Sequence, residues 1–203
     1  MPKFHLILRG NSDQFAKTIP NIQNTIITPY DIERIYVSSY HHQSYPELLS
    51  MLNPIFHVEQ TDRNGQYLAR HVIACAKQVI TDLESDLIKL DDWVIVMRID
   101  AILKDNLKDV VDGKGGLDLT KMYCLCLTET HNRAIDDNLY IMPVSMIKTL
   151  IQTMESVQNG RYNTHQITDD FNSAHGKDTV TCLFEGHFEI RVSRPLMTFA
   201  REI

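Results

Sequence analysis

The chain has 203 residues, 43% of them hydrophobic and 23% charged, which is typical of a single ordinary globular domain. Its net charge of −6 argues against a general nucleic-acid-binding protein, because such proteins carry a basic face. No apolar run approaches the roughly 20 residues that a membrane-spanning helix needs, and the apolar start is too short for a signal peptide. We therefore predict a cytoplasmic protein with no transmembrane segment.

Predicted strands and helices alternate through the first hundred residues. The clearest helix contains Leu68, Val72 and Ala76, whose four-residue spacing gives it one apolar face. A polar connection is predicted between Pro20 and Pro29. The pattern predicts strands over residues 4–8, 34–39, 55–58 and 93–97, and helices that end near residue 19 or span 46–52 and 65–83. This alternation indicates a parallel, nucleotide-binding type of α/β sheet.

The second half of the chain is predicted to be richer in strands. Residues 112–116 are rich in glycine and indicate a turn or mobile loop, and the polar residues 156–172 indicate loops. Strands are predicted over residues 122–128, 139–142, 180–184 and 188–192, and a helix over 143–157. Because no repeat or linker interrupts the sequence, we expect one domain over residues 1–203.

Cysteine usage and missing motifs exclude several kinds of site. The four cysteines, Cys75, Cys124, Cys126 and Cys182, contain no CxxC pair, which favours buried free thiols in a reducing compartment. The chain has no GxxxxGK[ST] loop and no GxGxxG after its first strand, so neither a P-loop nor a Rossmann cofactor site is expected. It also lacks the GxSxG turn of the α/β-hydrolases.

Four polar clusters follow predicted strands, where the turns of an open α/β sheet converge on one cleft. They are residues 9–11, residues 38–42, residues 62–66 with Arg70 one turn further along, and Arg98 with Asp100. In this cleft Gly10, Ser39 and Tyr40 are predicted nucleotide contacts, with the Tyr40 ring available to stack on a base. The helix that begins near Asn64 could donate backbone amides to an anion.

The segment from Trp93 to Asp100 is the most informative of the four. Arg98 and Asp100 are two residues apart at the end of a buried strand, so their side chains share a face. An arginine and a carboxylate placed together there suit a diphosphate and its divalent cation, and they equally suit an ion pair that closes the strand. Asp91 and Asp92 precede the same strand and therefore belong to the opposite edge of the sheet, where we do not expect a metal site.

Other candidate groups depend on less specific patterns. Asp136 and Asp137 precede a short strand and could act as a general base or bind a sugar hydroxyl, or could simply lie in a loop or cap. His41 and His42 have no cysteine or carboxylate at metal-ligand spacing, which favours solvated side chains. His175 and His187 could turn toward a metal, although a surface position is the commoner one for each.

Two parts of the sequence together resemble a known enzyme family. They are Asp62-Arg63-Asn64-Gly65-Gln66 before the long helix, and Asp92 to Asp100 with its Arg-x-Asp ending. This pattern resembles the small GT-A glycosyltransferases of the WavE lipopolysaccharide-synthesis type and related viral enzymes. Residues 135–141 resemble the acidic segment of the same family, so the resemblance covers about residues 3–157. The turn is Asp-Arg-Asn-Gly-Gln where the family has an Asn-Arg-Gln-like sequence, and a single aspartate replaces a DxD pair.

The resemblance implies a GT-A-like sheet and a metal-dependent glycosyltransferase that uses a nucleotide-diphosphate sugar, with UDP favoured, and a glycan or glycoprotein acceptor. Residues 1–100 would then bind the nucleotide, and residues 101–203 would complete the acceptor and metal sites. The implied nucleotide-sugar contacts are Arg9, Gly10, Ser39, Tyr40, Asn64, Gln66, Arg70 and Arg98. Asp100 would bind Mn²⁺ or Mg²⁺ with a second ligand from the C-terminal third, which could be His175, Asp178 or His187. Asp136 or Asp137 would be the catalytic carboxylate.

Three alternatives remain open on the sequence alone. A nucleotidyltransferase would use a similar α/β site, but it would be expected to show a glycine-rich signature and a lysine near the first strand. A catalytically silent nucleotide-sugar or carbohydrate-binding module would keep the arginines without needing Asp100. An α/β interaction protein would need no small-molecule site at all.

Overall fold

The structure, a computed structural model, describes residues 1–61, 67–125, 127–128, 138–160, 167–184, 187–188 and 197–199. For residues 67–68, 127–128, 187–188 and 197–199 it describes the backbone alone. Within these ranges the chain forms a seven-stranded mixed sheet covered by helices on both faces, which confirms the predicted α/β class.

Seven strands form the main sheet, and two short pairs lie beside it. The main strands are β1 (Phe4–Gly10), β2 (Arg34–Tyr40), β3 (Phe56–Gln60), β4 (Trp93–Arg98), β6 (Met122–Cys124), β8 (Leu139–Pro143) and β9 (Val180–Cys182). The short pairs are β5 (Ala101–Leu103) with β11 (Met197–Phe199), and β7 (Leu127–Thr128) with β10 (His187–Phe188). The order across the main sheet is β3-β2-β1-β4-β8-β6-β9.

Every strand of the main sheet except β8 runs in the same direction. The carboxyl ends of six strands therefore meet at one edge, the carboxyl edge, and their amino ends meet at the opposite amino edge. The chain places β2 and β3 on one side of β1 and then adds β4 on the other side. Such a reversal between two neighbouring parallel strands opens a crevice at the carboxyl edge, where open α/β sheets bind ligands.

The described helices are α1 (Phe15–Ile22), α2 (Thr28–Tyr30), α3 (Tyr45–Leu52), α4 (Tyr67–Glu84), α5 (Leu107–Gly113), α6 (Ile147–Gln158) and α7 (Ile167–His175). A π-helical segment, Gln23–Ile27, joins α1 to α2, and a 3-10 turn, Val144–Met146, precedes α6. None of the helices in these ranges is both long and apolar enough to cross a bilayer.

Alternation along the central strands gives the protein two apolar layers. Leu8 and Met97 face one layer, which buries the apolar sides of α1, α3 and α5. Ile7 and Val96 face the other layer, which buries α4, α6 and α7. Because side chains alternate in this way, the face on which each residue of the carboxyl edge lies follows directly from its position in the strand.

The predicted polar connection between Pro20 and Pro29 is wrong, because these residues are helical. Ile19, Ile22 and Ile26 recur at helical spacing and are fully buried against the sheet. Pro20 lies inside α1, where it removes a backbone donor, and the π-helical turn follows directly. Burial of the apolar stripe outweighs the local cost of the proline.

Three further elements differ from the sequence prediction. Residues 112–113 end α5, which begins where the Asn106 side chain accepts a 2.9 Å hydrogen bond from the Lys108 amide. Residues 167–172 open α7, a polar helix that buries Ile167 and Phe171 four residues apart. The short strand β5 follows Asp100 directly, and the sequence pattern had not indicated it.

The amino edge is held by a buried carboxylate. Asp92 accepts 2.8 Å hydrogen bonds from the backbone amides of Lys3 and Lys89, and its Oδ2 lies 3.4 Å from Nε2 of His5. Burial opposes ionisation, but these hydrogen bonds lower the pKa of Asp92 below its usual value. The placement confirms that Asp92 lies at the edge opposite the predicted cleft, where it ties β1 to β4.

Candidate active site at the carboxyl edge

Two arginines lie side by side at the carboxyl ends of β1 and β4, where the strand order reverses. Arg9 and Arg98 are direct partners in the parallel register of these strands. They continue the alternation of Ile7 and Val96, so both side chains lie on the α4 face of the sheet. Like charges on neighbouring strands destabilise each other unless an anion offsets them, and the Asp100 carboxylate lies against Arg98. Guanidinium groups are the side chains that commonly bind phosphate groups, so this edge is a candidate anion site.

The two arginines differ in access to solvent. Arg9 is fully buried, whereas the Arg98 side chain keeps 25% of its surface exposed. Arg98 is therefore the one of the two whose side chain is accessible to a ligand from solvent. Gly10, which follows Arg9, has a φ of +102°, a conformation that side chains other than glycine rarely adopt. The glycine thus lets the chain turn sharply at the end of β1.

Arg98 and Asp100 form a two-point ion pair. Nε of Arg98 donates to Oδ1 of Asp100 at 2.8 Å, and one terminal nitrogen donates to Oδ2 at 2.7 Å. Only 10% of the Asp100 side chain is exposed, so the guanidinium is the more accessible partner of the pair. The ion pair that the two-residue spacing allowed is therefore formed, and it fixes the plane of the Arg98 guanidinium.

A second group lies beside Arg9 on the same face. The Ser38 hydroxyl and Nδ1 of His71 lie 2.7 Å apart, and both residues are almost wholly buried. The Tyr40 ring meets the His71 ring edge-on, with centroids 4.6 Å apart. Ser38 is the register partner of Arg9, so β1, β2 and α4 together assemble these four side chains.

His71 is neutral at physiological pH. Burial, followed by the positive charge of Arg9, lowers its pKa from 6.5 to about 4. Its second ring nitrogen, Nε2, is buried and has no hydrogen-bond partner in the described structure. A neutral imidazole can either donate or accept a hydrogen bond at that atom, depending on its tautomer.

The other predicted contacts lie on the opposite face of the sheet, on α4, or outside the described residues. Ser39 is buried on the opposite face of the sheet from Arg9, and its hydroxyl donates to the Tyr40 carbonyl at 3.3 Å. Arg70 lies on α4 next to His71 and is partly buried. Asn64, Gln66, Asp136 and Asp137 lie outside the described residues, and only the backbone of His187 is described. The structure therefore brings together Arg9, Tyr40, Arg98 and Asp100, and it adds Ser38 and His71.

Several histidines have partners that local sequence spacing did not reveal. Nδ1 of His41 lies 2.8 Å from a carboxylate oxygen of Glu59, and Nε2 of His42 lies 3.9 Å from one of Asp13. His175 ends α7, and its Nε2 lies 2.7 Å from the Thr149 hydroxyl. Among the described residues no three His, Cys, Asp or Glu side chains come together as a metal-binding group.

His71 was absent from the predicted site, and Ser38 was placed in the polar cluster of residues 38–42 without being chosen as a contact. His71 falls on the apolar stripe of α4, where a lone histidine reads as an ordinary core residue. Its partner is 33 positions away on another element. The only local signal was the serine pair at the end of β2, and alternation places just one of the two on the α4 face.

Comparisons with known proteins support the fold. No protein-family profile matches the chain, and no curated protein sequence matches it. The chain is similar in structure to a 4-diphosphocytidyl-2C-methyl-D-erythritol synthase, with 8% identity, a TM-score of 0.56 and coverage of 95% of this chain and 94% of the other.

A second solved structure is a glycosyltransferase involved in the glycosylation of the major capsid of PBCV-1. It shares 11% identity with a TM-score of 0.47, over 89% of this chain and 83% of the other. At these identities the first likeness shows the fold alone, and the second adds no argument to it. The predicted family thus stays a prediction, whereas the chain has the α/β fold of the synthase.

Proposed function

We propose that the protein is a glycosyltransferase that binds a nucleotide-diphosphate sugar at the carboxyl edge and transfers the sugar to a glycan or glycoprotein. The observation that carries the proposal is the in-register pair of Arg9 and Arg98 at the carboxyl ends of β1 and β4. Two guanidinium groups at the point where an open α/β sheet binds ligands suit a diphosphate. UDP-sugars are the first donors to test.

Sugar transfer builds negative charge on the departing diphosphate while the sugar becomes oxocarbenium-like. Arg98 is held in a fixed plane by Asp100, so it can donate to the diphosphate without first being ordered. Arg9 adds positive charge from its buried position. The Tyr40 ring stands at the same edge, where it would stack on the base of the nucleotide.

A Mn²⁺ or Mg²⁺ cofactor is part of the proposal. Such ions are often held by one or two carboxylates together with substrate phosphates, and Asp100 supplies one carboxylate at the right edge of the sheet. Both oxygens of Asp100 accept from Arg98, so a cation there must share or displace this pair. When bound, it would neutralise charge on the diphosphate. His187 remains a proposed second ligand.

The acceptor hydroxyl needs a general base if the transfer inverts configuration. Asp136 and Asp137 are the proposed carboxylates for this step. Asn138, the residue that follows them, accepts a hydrogen bond at its carbonyl from the Arg98 amide at 3.2 Å. This contact joins the start of β8 to the end of β4, whereas Asp136 and Asp137 themselves lie outside the described residues.

Thermal unfolding with a panel of UDP-, GDP-, CMP- and dTDP-sugars, with and without Mn²⁺, tests the proposal. A ligand at 100 times its dissociation constant adds about 2.7 kcal/mol to the unfolding free energy, which shifts the midpoint by several degrees. We expect a shift with one nucleotide class that Mn²⁺ enhances. Absence of a shift with every donor would favour an interaction protein.

Product analysis separates the transferase from its nearest alternatives. A glycosyltransferase releases a nucleoside diphosphate from its donor, whereas a nucleotidyltransferase releases pyrophosphate from a nucleoside triphosphate. A catalytically silent binding module would show the thermal shift but would release neither nucleoside diphosphate nor pyrophosphate. Loss in Asp100→Ala of both activity and the Mn²⁺-dependent part of the thermal shift would support the metal role, and full activity in that variant would contradict it.

A further inference from the structure

Two thiols from distant parts of the chain meet at the far end of the main sheet. Cys124 ends β6, Cys182 ends β9, and the two residues are partners in the parallel register of these strands. Their Sγ atoms lie 3.3 Å apart in a thiol–thiol hydrogen bond, although the residues are 58 positions apart in sequence. Neither cysteine is in a disulfide in this structure.

We propose that Cys124 and Cys182 form a reversible redox site that closes to a disulfide on reaction with a small-molecule disulfide. Neighbouring strands lie about 4.8 Å apart, and disulfides join Cα atoms about 4.4–6.8 Å apart, so the backbone spacing is already suitable. The sulfurs must approach to about 2.05 Å, which side-chain rotation can supply. The closed form needs no change in strand register.

The two thiols have unequal access and acidity. Cys182 lies on the edge strand and is partly exposed, whereas Cys124 is fully buried beneath the helices. The hydrogen bond from Cys124 lowers the pKa of the Cys182 thiol, against the opposing effect of partial burial. Cys182 is therefore the thiol that a small oxidant reaches first, and Cys124 is the resolving thiol.

The exchange balances in two steps. The Cys182 thiolate attacks one sulfur of glutathione disulfide, forming a mixed disulfide and expelling one glutathione thiolate. The Cys124 thiolate then attacks Sγ of Cys182 and expels the second glutathione. The protein loses two electrons and two protons, and the two glutathione molecules gain them as thiols. An excess of reduced glutathione runs the same steps backward.

Closure would tie the edge strand β9 to the interior strand β6. The cross-link spans a long loop of the sequence that includes β8, α6 and α7. Cross-links across long loops stabilise a fold mainly by restricting its unfolded state, so the oxidised protein should unfold roughly 5–10 °C higher. The effect should disappear when dithiothreitol is added.

Cys75 provides an internal control. It is fully buried on α4, and burial raises the pKa of its thiol, so it should stay unreacted in the folded protein. Trypsin would place Cys75 in residues 71–77, Cys182 in residues 178–191, and Cys124 together with Cys126 in residues 122–133. A Cys126→Ser background makes the assignment of any linkage to residues 122–133 unambiguous.

The experiment treats folded Cys126→Ser and the natural sequence with glutathione disulfide, then maps peptides by mass without reduction. We expect residues 122–133 joined to residues 178–191, residues 71–77 free, and glutathione retained on Cys182 when Cys124 is changed to Ser. A stable glutathione adduct on Cys182 beside a reduced Cys124 would overturn the proposal. So would a linkage between other cysteines, or two thiols that remain reduced.

Discussion

The two edges of the main sheet each carry an Arg–Asp pair, but the pairs serve different purposes. At the amino edge Arg34 donates to Asp82 at 3.2 Å, and that carboxylate also accepts from Tyr36 at 2.7 Å and Gln78 at 2.9 Å. At the carboxyl edge Asp100 accepts twice from Arg98, which stands opposite a second arginine. At the amino edge the aspartate is surrounded by hydrogen-bond donors, whereas at the carboxyl edge two arginine side chains lie next to each other.

This difference suggests that the amino edge contributes to stability and the carboxyl edge to ligand binding. Buried carboxylates with several donors stabilise the fold, and removal of one acceptor leaves buried amides without a partner. The arginines of the carboxyl edge, one of which pairs with Asp100, are side chains of the type that binds phosphate groups. Substitutions at the amino edge should therefore change unfolding, and substitutions at the carboxyl edge should change ligand binding.

The largest effect is expected for Asp92→Asn at the amino edge. The two carboxylate oxygens accept from Lys3 and Lys89, whereas an asparagine offers one oxygen and would turn its NH₂ toward the other amide. We expect a loss of about 3 kcal/mol in the free energy of unfolding, measured in urea. Asp91→Asn, at an exposed neighbour, should change it by less than about 0.5 kcal/mol. Equal effects of the two changes would contradict a structural role for Asp92.

The second prediction compares the loss of Arg98, which pairs with Asp100, with the loss of Arg34, which pairs with Asp82. Arg98 and Arg34 have similar exposure, 25% and 21% of their side chains, and each donates to an aspartate. Arg98→Gln should weaken donor binding about 10- to 100-fold, because a hydrogen bond to a charged phosphate is lost. Arg34→Gln should leave donor binding unchanged and lower stability slightly. The measurement is titration calorimetry with the donor that shifts thermal unfolding, and the reverse ranking would exclude the carboxyl edge as the donor site.

The sequence predicted the parts of this arrangement that depend on local spacing. Arg98 and Asp100 are two residues apart on a strand, so their shared face was predictable, and the ion pair is observed. The apolar stripes of α4 and β4 likewise located the central layers. Local spacing says nothing about which strands become neighbours, so the register of Arg9 with Arg98 required the structure.

The sequence did not predict two kinds of feature. One kind depends on contacts between residues far apart in sequence, and the other on a mostly polar helix that is held by a few buried apolar side chains. In the sequence His71 has the spacing of a core residue of a helix. Only the structure shows that Ser38 and Arg9 lie beside it. Cys124 and Cys182 have no recognisable spacing, yet strand pairing joins them. α7 is polar overall, and two buried residues one turn apart suffice to dock it.

A third prediction concerns pH. His71 has a pKa of about 4 in the folded protein and about 6.5 when unfolded, so the unfolded chain binds the extra proton between these values. Its contribution to stability is complete above pH 6.5 and is lost as the pH falls toward 4. Between pH 7 and pH 5 the loss amounts to about 2 kcal/mol.

His71→Gln removes this titration while a polar side chain stays in place. The free energy of unfolding should then fall about 2 kcal/mol less between pH 7 and pH 5 than in the natural protein. His5, whose pKa burial also lowers, is present in both proteins and contributes equally to both slopes. An unchanged pH slope in the variant would mean that His71 does not carry the depressed pKa.

The smallest effect compares two adjacent serines of β2 that are both fully buried. Ser38→Ala removes the partner of Nδ1 of His71 on the α4 face, which should cost about 1 kcal/mol of stability and disturb the ring beside Tyr40. Ser39→Ala loses only a 3.3 Å bond to the next carbonyl on the other face, so little change is expected. Urea unfolding and donor titration of the two variants, side by side, measure how far the site extends from the arginines into β2. If Ser39→Ala weakened donor binding more than Ser38→Ala, the donor would have to lie on the opposite face of the sheet, and the arginine pair could no longer be its anchor.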